Sequence, residues 1–325
     1  MNLTVTSSPH IRNKVNTRSI MLDVVIALLP ALLAGVLHFG VRALLVAIVC
    51  VAAALAAEWI CGALIFKRNT TVDGSAIVTG LLLALTLPAT VPYEIAAIGS
   101  AFAIIVIKGM CGGLGKNIFN PALAGRAFLM LLWPAYLVRY VAPGTELSLF
   151  GSNVDAVASA TPLHHMVMPA LPEESLLDMF LGNIGGTIGE TCTLALLIGG
   201  AYLIYRKVIS ARIPVAYLGT VAVLSLVFFK TEDPIGWMLY SVLGGGVVLG
   251  ALFMATDYAT SPVTPKGQIF YGIGCGVLTV LFRYFGLFPE GVTYAILIMN
   301  AVVWILDFYT APRRFGYQKG GKHEN

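Results

Sequence analysis

Val78-Thr79-Gly80-Leu81-Leu82-Leu83-Ala84-Leu85-Thr86-Leu87-Pro88-Ala89-Thr90-Val91-Pro92 begins as an apolar helix and stops abruptly at Thr and Pro. Its echo lies 170 residues later as Val248-Leu249-Gly250-Ala251-Leu252-Phe253-Met254-Ala255-Thr256-Asp257-Tyr258-Ala259-Thr260-Ser261-Pro262-Val263-Thr264-Pro265. Gly, small residues and a Pro/Thr-rich ending recur in both. If each half of the chain holds about five spans, an odd number, the second half runs in the opposite sense through a bilayer as an inverted repeat. Short, Gly- and Pro-interrupted segments at matching positions are where such folds place a pore or a binding site.

The rest of the chain supplies the membrane frame. Its 325 residues are 58% hydrophobic and 11% charged, with a mean hydropathy of +0.86. A soluble domain carries about 25% charged residues, so this composition excludes one. Apolar stretches at 19–39, 44–66, 76–87, 95–107, 121–140, 187–205, 213–229, 237–254, 269–288 and 293–306 predict an all-α polytopic membrane protein of about ten transmembrane helices. With the N-terminus inside, the inner loops collect Arg12, Lys14, Arg18, Lys67, Arg68, Lys108, Lys116, Arg206, Lys207, Arg212, Lys266, Arg313, Arg314, Lys319 and Lys322. The outer side keeps Arg42, Arg139, Lys230 and Arg283, an asymmetry that places both termini in the cytoplasm.

The resulting organisation is a cytoplasmic segment at 1–18, a first membrane half at 19–141, an extracytoplasmic loop at 142–184, a second half at 185–310 and a cytoplasmic tail at 311–325. The first apolar run exceeds a signal-peptide core and is read as a retained helix. Trp59, Trp133, Trp237 and Trp304 fall near span ends, where an indole buries its ring and keeps its N–H wet. The net charge of +4, gathered on the inner face, suits anionic lipid; no basic, aromatic-interleaved patch points to nucleic acid. Cys50, Cys61, Cys111, Cys192 and Cys275 form no C-x-x-C pair and predict buried free thiols, with no disulfide framework and no metal site.

Polar residues near the interruptions are the candidates for function. Asp73, just before a helix, is read as a cap. Glu190 and Asp257 are costly to place in lipid and are candidate ion-path residues; Arg126 inside the fifth span is expected to face a cavity or a partner, paired with a phosphate or a carboxylate. The glycine-rich run 109–121 carries Lys116 at a helix mouth, a geometry able to hold an anion, but it lacks the phosphate-loop spacing because Asn117 follows Lys116. Residues 142–175 form a polar island in this apolar chain, with Asp155, His164, His165, Glu173 and Glu174; long exposed loops of this kind usually carry function.

Three places carry a family resemblance that covers nearly the whole chain: Ser7-Ser8-Pro9-His10 with Arg18-Ser19-Ile20-Met21, the run Gly112–Ala122, and the loop Asp155–Leu163. Together they resemble the RnfD membrane subunits of Rnf (Rsx) ferredoxin:NAD oxidoreductase complexes, and more distantly the NqrB subunits of sodium-pumping NADH:quinone oxidoreductases. In that family the loop reads roughly Asp-x-x-Ser/Thr-Gly-Ala-Thr, and its last Thr carries FMN through a phosphoester made by an ApbE-type flavin transferase. Carried onto this chain, the acceptor is Thr161, with Asp155, Ser159 and Ala160 in the attachment motif; Ala158 and Ser159 stand where Ser/Thr and Gly are usual. Small neighbours leave the Thr161 hydroxyl accessible, and Pro162 biases its backbone towards an extended conformation.

The resemblance implies a five-plus-five inverted repeat similar to the urea-transporter fold. It implies electron transfer through covalent FMN coupled to Na+ or H+ transport, and a second, non-covalent flavin, riboflavin or FMN, whose residues the sequence does not identify. No catalytic residue is assigned, because the chain works as one part of a complex and is not active alone. The implied partners are RnfA, RnfB, RnfC, RnfE and RnfG, the flavin transferase and membrane lipid; the implied location is a bacterial or archaeal inner membrane. An NqrB-type subunit and a non-redox transporter or channel of the same fold are the alternatives.

Overall fold

A computed structural model describes residues 16–66, 71–149, 171–172, 174–286 and 291–312. Among them the chain is helical and contains no strand. Helix α1 spans Thr17–Phe39, and α2 spans Val41–Cys61 and runs on as a π-helical turn, Gly62–Phe66. Helix α3 is Ser75–Leu85, and α4 is Tyr93–Phe102 with a π-helical continuation, Ala103–Gly109. Then come α5 (Pro121–Leu132), the short α6 (Pro134–Leu137) and α7 (Leu176–Leu181). The second half contains α8 (Thr193–Tyr205), α9 (Arg212–Val227), α10 (Pro234–Leu243) and α11 (Val247–Leu249, extended by π-helical Gly250–Met254). Helices α12 (Pro265–Phe285) and α13 (Val292–Thr310) close it.

The chain is a multi-pass membrane protein. Four helices, Thr17–Phe39, Val41–Leu64, Pro265–Phe285 and Val292–Thr310, are long and apolar enough to cross a bilayer, and the pair α10 and α11, bent by 58°, makes a fifth if it is one broken span. Four shorter apolar helices, α3, α5, α8 and α9, pack among them. Each of the ten apolar stretches of the sequence overlaps at least one helix, although six of them yield elements shorter than a full span or bent within it.

Close packing follows from small residues. Helix α8 lies on α1 at Gly199, where even one added carbon would sit 2.0 Å from the Ala27 carbonyl oxygen. Helix α12 approaches α9 through Gly272 and Gly276, whose faces meet Ala216, Tyr217 and Thr220. Without a hydrophobic drive between helices in lipid, such approach supplies the dispersion contacts that hold them together.

The two echoed stretches form comparable breaks. Helix α3 ends at Leu85 and the chain stays non-helical until α4; α11 ends at Met254 and stays non-helical until α12. Broken helices leave carbonyls without partners, and the bilayer interior has no water to satisfy them. Here each break is closed from the opposite half of the chain. The N–H groups of Gly189 and Ile188 donate to the Leu85 and Leu87 carbonyls at 2.8 and 3.0 Å, and the Asn120 side chain donates to the Met254 carbonyl at 3.1 Å.

Arginines complete the satisfaction. Arg126 of α5 donates to the Thr86 carbonyl, Arg42 to the Ala89, Val91 and Ser148 carbonyls, and Arg283 to the Ser241 and Gly244 carbonyls beside the α10–α11 bend. Arg42 is buried in α2, so it is an internal backbone ligand, contrary to its assignment as an outer-loop charge. Lys108 is likewise buried and is not a loop charge. Trp237 departs from the interfacial expectation too: it is fully buried between Met179, Ile184 and Tyr240, and its indole N–H donates to the Tyr284 hydroxyl at 2.8 Å. Cys111, expected buried, is exposed, while the other four thiols are buried.

Candidate functional site

A cleft lies on the face that also carries Lys116, Arg206 and Lys207. Its walls are mainly apolar, from Val24 of α1, Val78 and Leu82 of α3, Leu203 of α8 and Phe253 of α11. Its polar edge brings together Thr79, Asn117, Asn120, Thr256 and Asp257. Both interrupted stretches therefore line one cleft, Thr79 from the first and Thr256 and Asp257 from the second. Apolar walls with a few converging polar groups are the ordinary make-up of a small-molecule site.

Asn120 holds the floor of this cleft. As N-cap of α5 its Oδ1 accepts from the Ala122 and Leu123 N–H groups at 3.0 and 3.3 Å, while its Nδ2 reaches Met254. Its own N–H meets the Asn300 side chain, which is satisfied when its oxygen faces Asn120 at 3.0 Å and its nitrogen donates to the Ile296 and Thr260 carbonyls at 3.2 Å. One residue, by side chain and backbone, thus ties α5, α11 and α13. Asn120→Ala removes a cap, worth about 1 kcal/mol, and orphans a buried carbonyl, worth about 1–3 kcal/mol. The expected outcome is a lower thermal midpoint of the purified protein, with a shallower loss for Asn120→Asp, which keeps the cap alone.

Asp73 acts as the cap expected of it. Its Oδ1 accepts from the N–H of Ser75, the first residue of α3, at 2.9 Å and from the Ser75 hydroxyl at 2.5 Å. In the glycine-rich loop, part of the donor set is turned inward. Positive φ at Gly112 and Gly113 folds it back on itself, and the N–H groups of Gly112, Gly113 and Lys116 go to the Gly109, Lys108 and Gly113 carbonyls. Those donors are spent inside the loop.

Glu190 and Asp257 occupy different places. Asp257 is half-buried at the cleft and accepts from the Thr260 hydroxyl at 3.0 Å. Glu190 is buried in the non-helical segment before α8, so close to Gly246 that an added carbon there would lie 2.4 Å from its Oε2. Gly246 and Asp257 flank opposite ends of the eight-residue helix 247–254, so the two acids sit at opposite ends of it. Thr187 and Thr191, beside Glu190, are buried with hydroxyls that have no partner among the described residues. Asp155, Ser159, Ala160 and Thr161 lie outside the described residues.

Two site residues were missed in the sequence. Glu58 of α2 and Lys108 of α4 form a buried ion pair, Nζ to Oε2 2.6 Å, and the same Nζ lies 2.6 Å from the Ser75 hydroxyl. The signal was available, since an ionisable residue within a membrane span is by default a candidate for function.

The chain's sequence matches the model of the NQR2, RnfD, RnfE family over residues 4–316. It is similar to the D subunit of the Na(+)-translocating ferredoxin:NAD(+) oxidoreductase complex of Acetobacterium woodii, 47% identical over 98% of this chain and 97% of the relative. It is also similar to the D subunit of the proton-translocating ferredoxin:NAD(+) oxidoreductase complex of Clostridium ljungdahlii, 44% identical over 97% of each. A third relative, the D subunit of the ion-translocating oxidoreductase complex of Stutzerimonas stutzeri, is 37% identical over 93% of each. With its whole membrane frame inside these matches, the chain belongs to the NQR2, RnfD, RnfE family.

Proposed function

We propose that this chain is the RnfD component of a membrane complex that passes electrons between ferredoxin and NAD and moves Na+ or H+ as it does so. The near end-to-end likeness to two relatives named as parts of such complexes carries this reading. The partners are then the other Rnf subunits, RnfA, RnfB, RnfC, RnfE and RnfG, in an inner membrane with both termini cytoplasmic. The ten apolar segments make ten passes in a five-plus-five inverted repeat, a reading supported by the paired breaks after α3 and α11.

Thr161 carries FMN in the extracytoplasmic loop, attached by an ApbE-type transferase. Supporting this are the motif spacing from Asp155 to Thr161 and the small residues around the hydroxyl. Bound flavin supplies the redox chemistry, and the protein holds and tunes it. The cleft at Asn117 and Thr79 suits a second flavin: its walls are mainly apolar, and Thr79 and Thr256, whose hydroxyls donate to the Ser75 and Leu252 carbonyls, retain lone pairs able to accept from a ligand. The one lysine in its lining, Lys108, is engaged by Glu58, and Asp257 adds a carboxylate, so a flavin without a phosphate fits better.

Ion transport is assigned to Glu190 and Asp257 as candidate path residues. In a reconstituted complex, Glu190→Gln or Asp257→Asn should lower electron-driven cation uptake by on the order of tenfold, about 1.4 kcal/mol at the limiting step, while flavin attachment stays intact. Unchanged uptake in both variants removes them from the path. The whole reading is tested by purifying the chain with its partners and assaying electron transfer from reduced ferredoxin to NAD together with cation uptake into vesicles. A transporter of the same fold would instead carry solute alone, without flavin, and an NqrB-type protein would deliver electrons to quinone.

A further inference from the structure

The Glu58–Lys108 pair stands between two cavities. Beyond the cleft at Thr79 and Asp257, a second space is lined by Glu58, Cys61, Asp73, Lys108 and Lys116 and by the glycine-rich loop. Lys108 and Leu114 belong to the linings of both cavities. The Lys108 ammonium touches Glu58 and Ser75, and the Ser75 hydroxyl donates to Asp73, so one carboxylate holds the buried ammonium directly and a second is linked to it through a hydroxyl. Glu58 and Lys108 are each only 3% exposed, and Ser75 4%.

A merely structural role explains this arrangement poorly. Apolar residues of similar volume commonly hold helices together as well as a buried ion pair does or better, because desolvating both charges offsets their attraction. The pair also sits where α4 is π-helical and one turn before α2 becomes so, and such single-turn widenings are frequent at functional sites. A compact ammonium on a flexible four-carbon stem fills the place of a small monovalent cation between the Glu58 carboxylate and the Ser75 hydroxyl.

We propose that Lys108 is a tethered counter-ion occupying a monovalent-cation site whose ligands are the Glu58 carboxylate and the Ser75–Asp73 pair, reached from the basic face through the second cavity. While the ammonium holds Glu58 the site is shut; when it leaves, the carboxylates accept a free cation. Because Lys108 also lines the first cleft, negative charge arriving there competes with Glu58 for the ammonium, and occupancy of the two cavities is linked. This inference deepens the ion-translocating reading and rests on it.

The test uses the assembled complex in inverted membrane vesicles. Wild-type vesicles first establish which cation, Na+ or H+, is taken up during ferredoxin-to-NAD electron transfer; no uptake of either would sink the ion-translocating reading itself. Electron transfer is then titrated with that cation in Lys108→Met, Ser75→Ala and the double variant Glu58→Gln/Lys108→Met. Lys108→Met should lower the half-saturating cation concentration about tenfold, because the competing ammonium is gone, and should at least halve the cations moved per electron. Ser75→Ala should raise the half-saturating concentration severalfold, and the double variant should cancel the gain of Lys108→Met. Should Lys108→Met fail to assemble because it strands the buried Glu58 carboxylate, Ser75→Ala and the double variant, which removes both charges of the pair, carry the test. Pumping vesicles in which the assembled variants titrate like wild type would overturn the tethered-cation site and leave the broader function standing.

Discussion

Replacing Thr161 by alanine is expected to leave the complex assembled but to cut ferredoxin-to-NAD electron transfer on the order of 100-fold or more, an effect of at least about 2.7 kcal/mol on the limiting step. A phosphoester to the protein needs a side-chain hydroxyl at the point the transferase grips, and alanine offers none. Thr161→Ser keeps the hydroxyl and should retain flavin and most of the activity. Ser159, two residues away, is the internal control: flavin retained in Thr161→Ala but lost in the double variant with Ser159→Ala would move the attachment point within the same loop. Rates are measured with the whole complex, since the chain is not expected to act alone.

The second large effect lies in the membrane frame. Arg126 is 4% exposed, and its guanidinium donates to the carbonyl of Thr86 at the broken end of α3. Arg126→Met removes that donor from a place where water cannot substitute for it, at a cost of about 3–5 kcal/mol. For a chain of 325 residues that corresponds to a fall in thermal midpoint of roughly 4–7 °C, read by a fluorescence melt in detergent. Arg126→Lys should recover less than half of the loss, because an ammonium lacks the planar fork that reaches several acceptors from one position. A melt unchanged from wild type in Arg126→Met would show that the break is satisfied without the guanidinium.

Part of this architecture was legible in the residues alone and part was not, for reasons that are physical. Runs of about 20 apolar residues declare themselves, and α1, α2, α12 and α13 appear where the hydropathy places them. The breaks after Leu85 and Met254 were also legible, because Pro and polar turn residues cannot continue a helix. What closes those breaks was not, since Asn120 and Met254 are 134 residues apart and nothing local links them.

Charge misled in a systematic way. Lys108 reads as a loop charge because Gly109 follows it, yet the π-helical turn carries it inward to Glu58. Arg42, two residues past the Gly40 that divides α1 from α2, reads as an outer-loop residue and is a ligand for backbone carbonyls instead. Both cases have one cause: broken helices and buried carboxylates need cations, and the nearest lysine or arginine in space is drawn in from the span ends. Trp237 was misplaced for a related reason, because its N–H finds Tyr284 inside the fold and needs no wet interface.

If this chain is a redox protein with flavin attached to its own polypeptide, the modification must be visible on the denatured chain. Intact-mass analysis and in-gel ultraviolet fluorescence, on wild type and Thr161→Ala produced with a flavin transferase, test this directly. The expected result is a fluorescent wild-type band heavier by FMN less one water, and a dark, unshifted Thr161→Ala band. A wild-type chain of unmodified mass would contradict it and favour a transporter of the same fold.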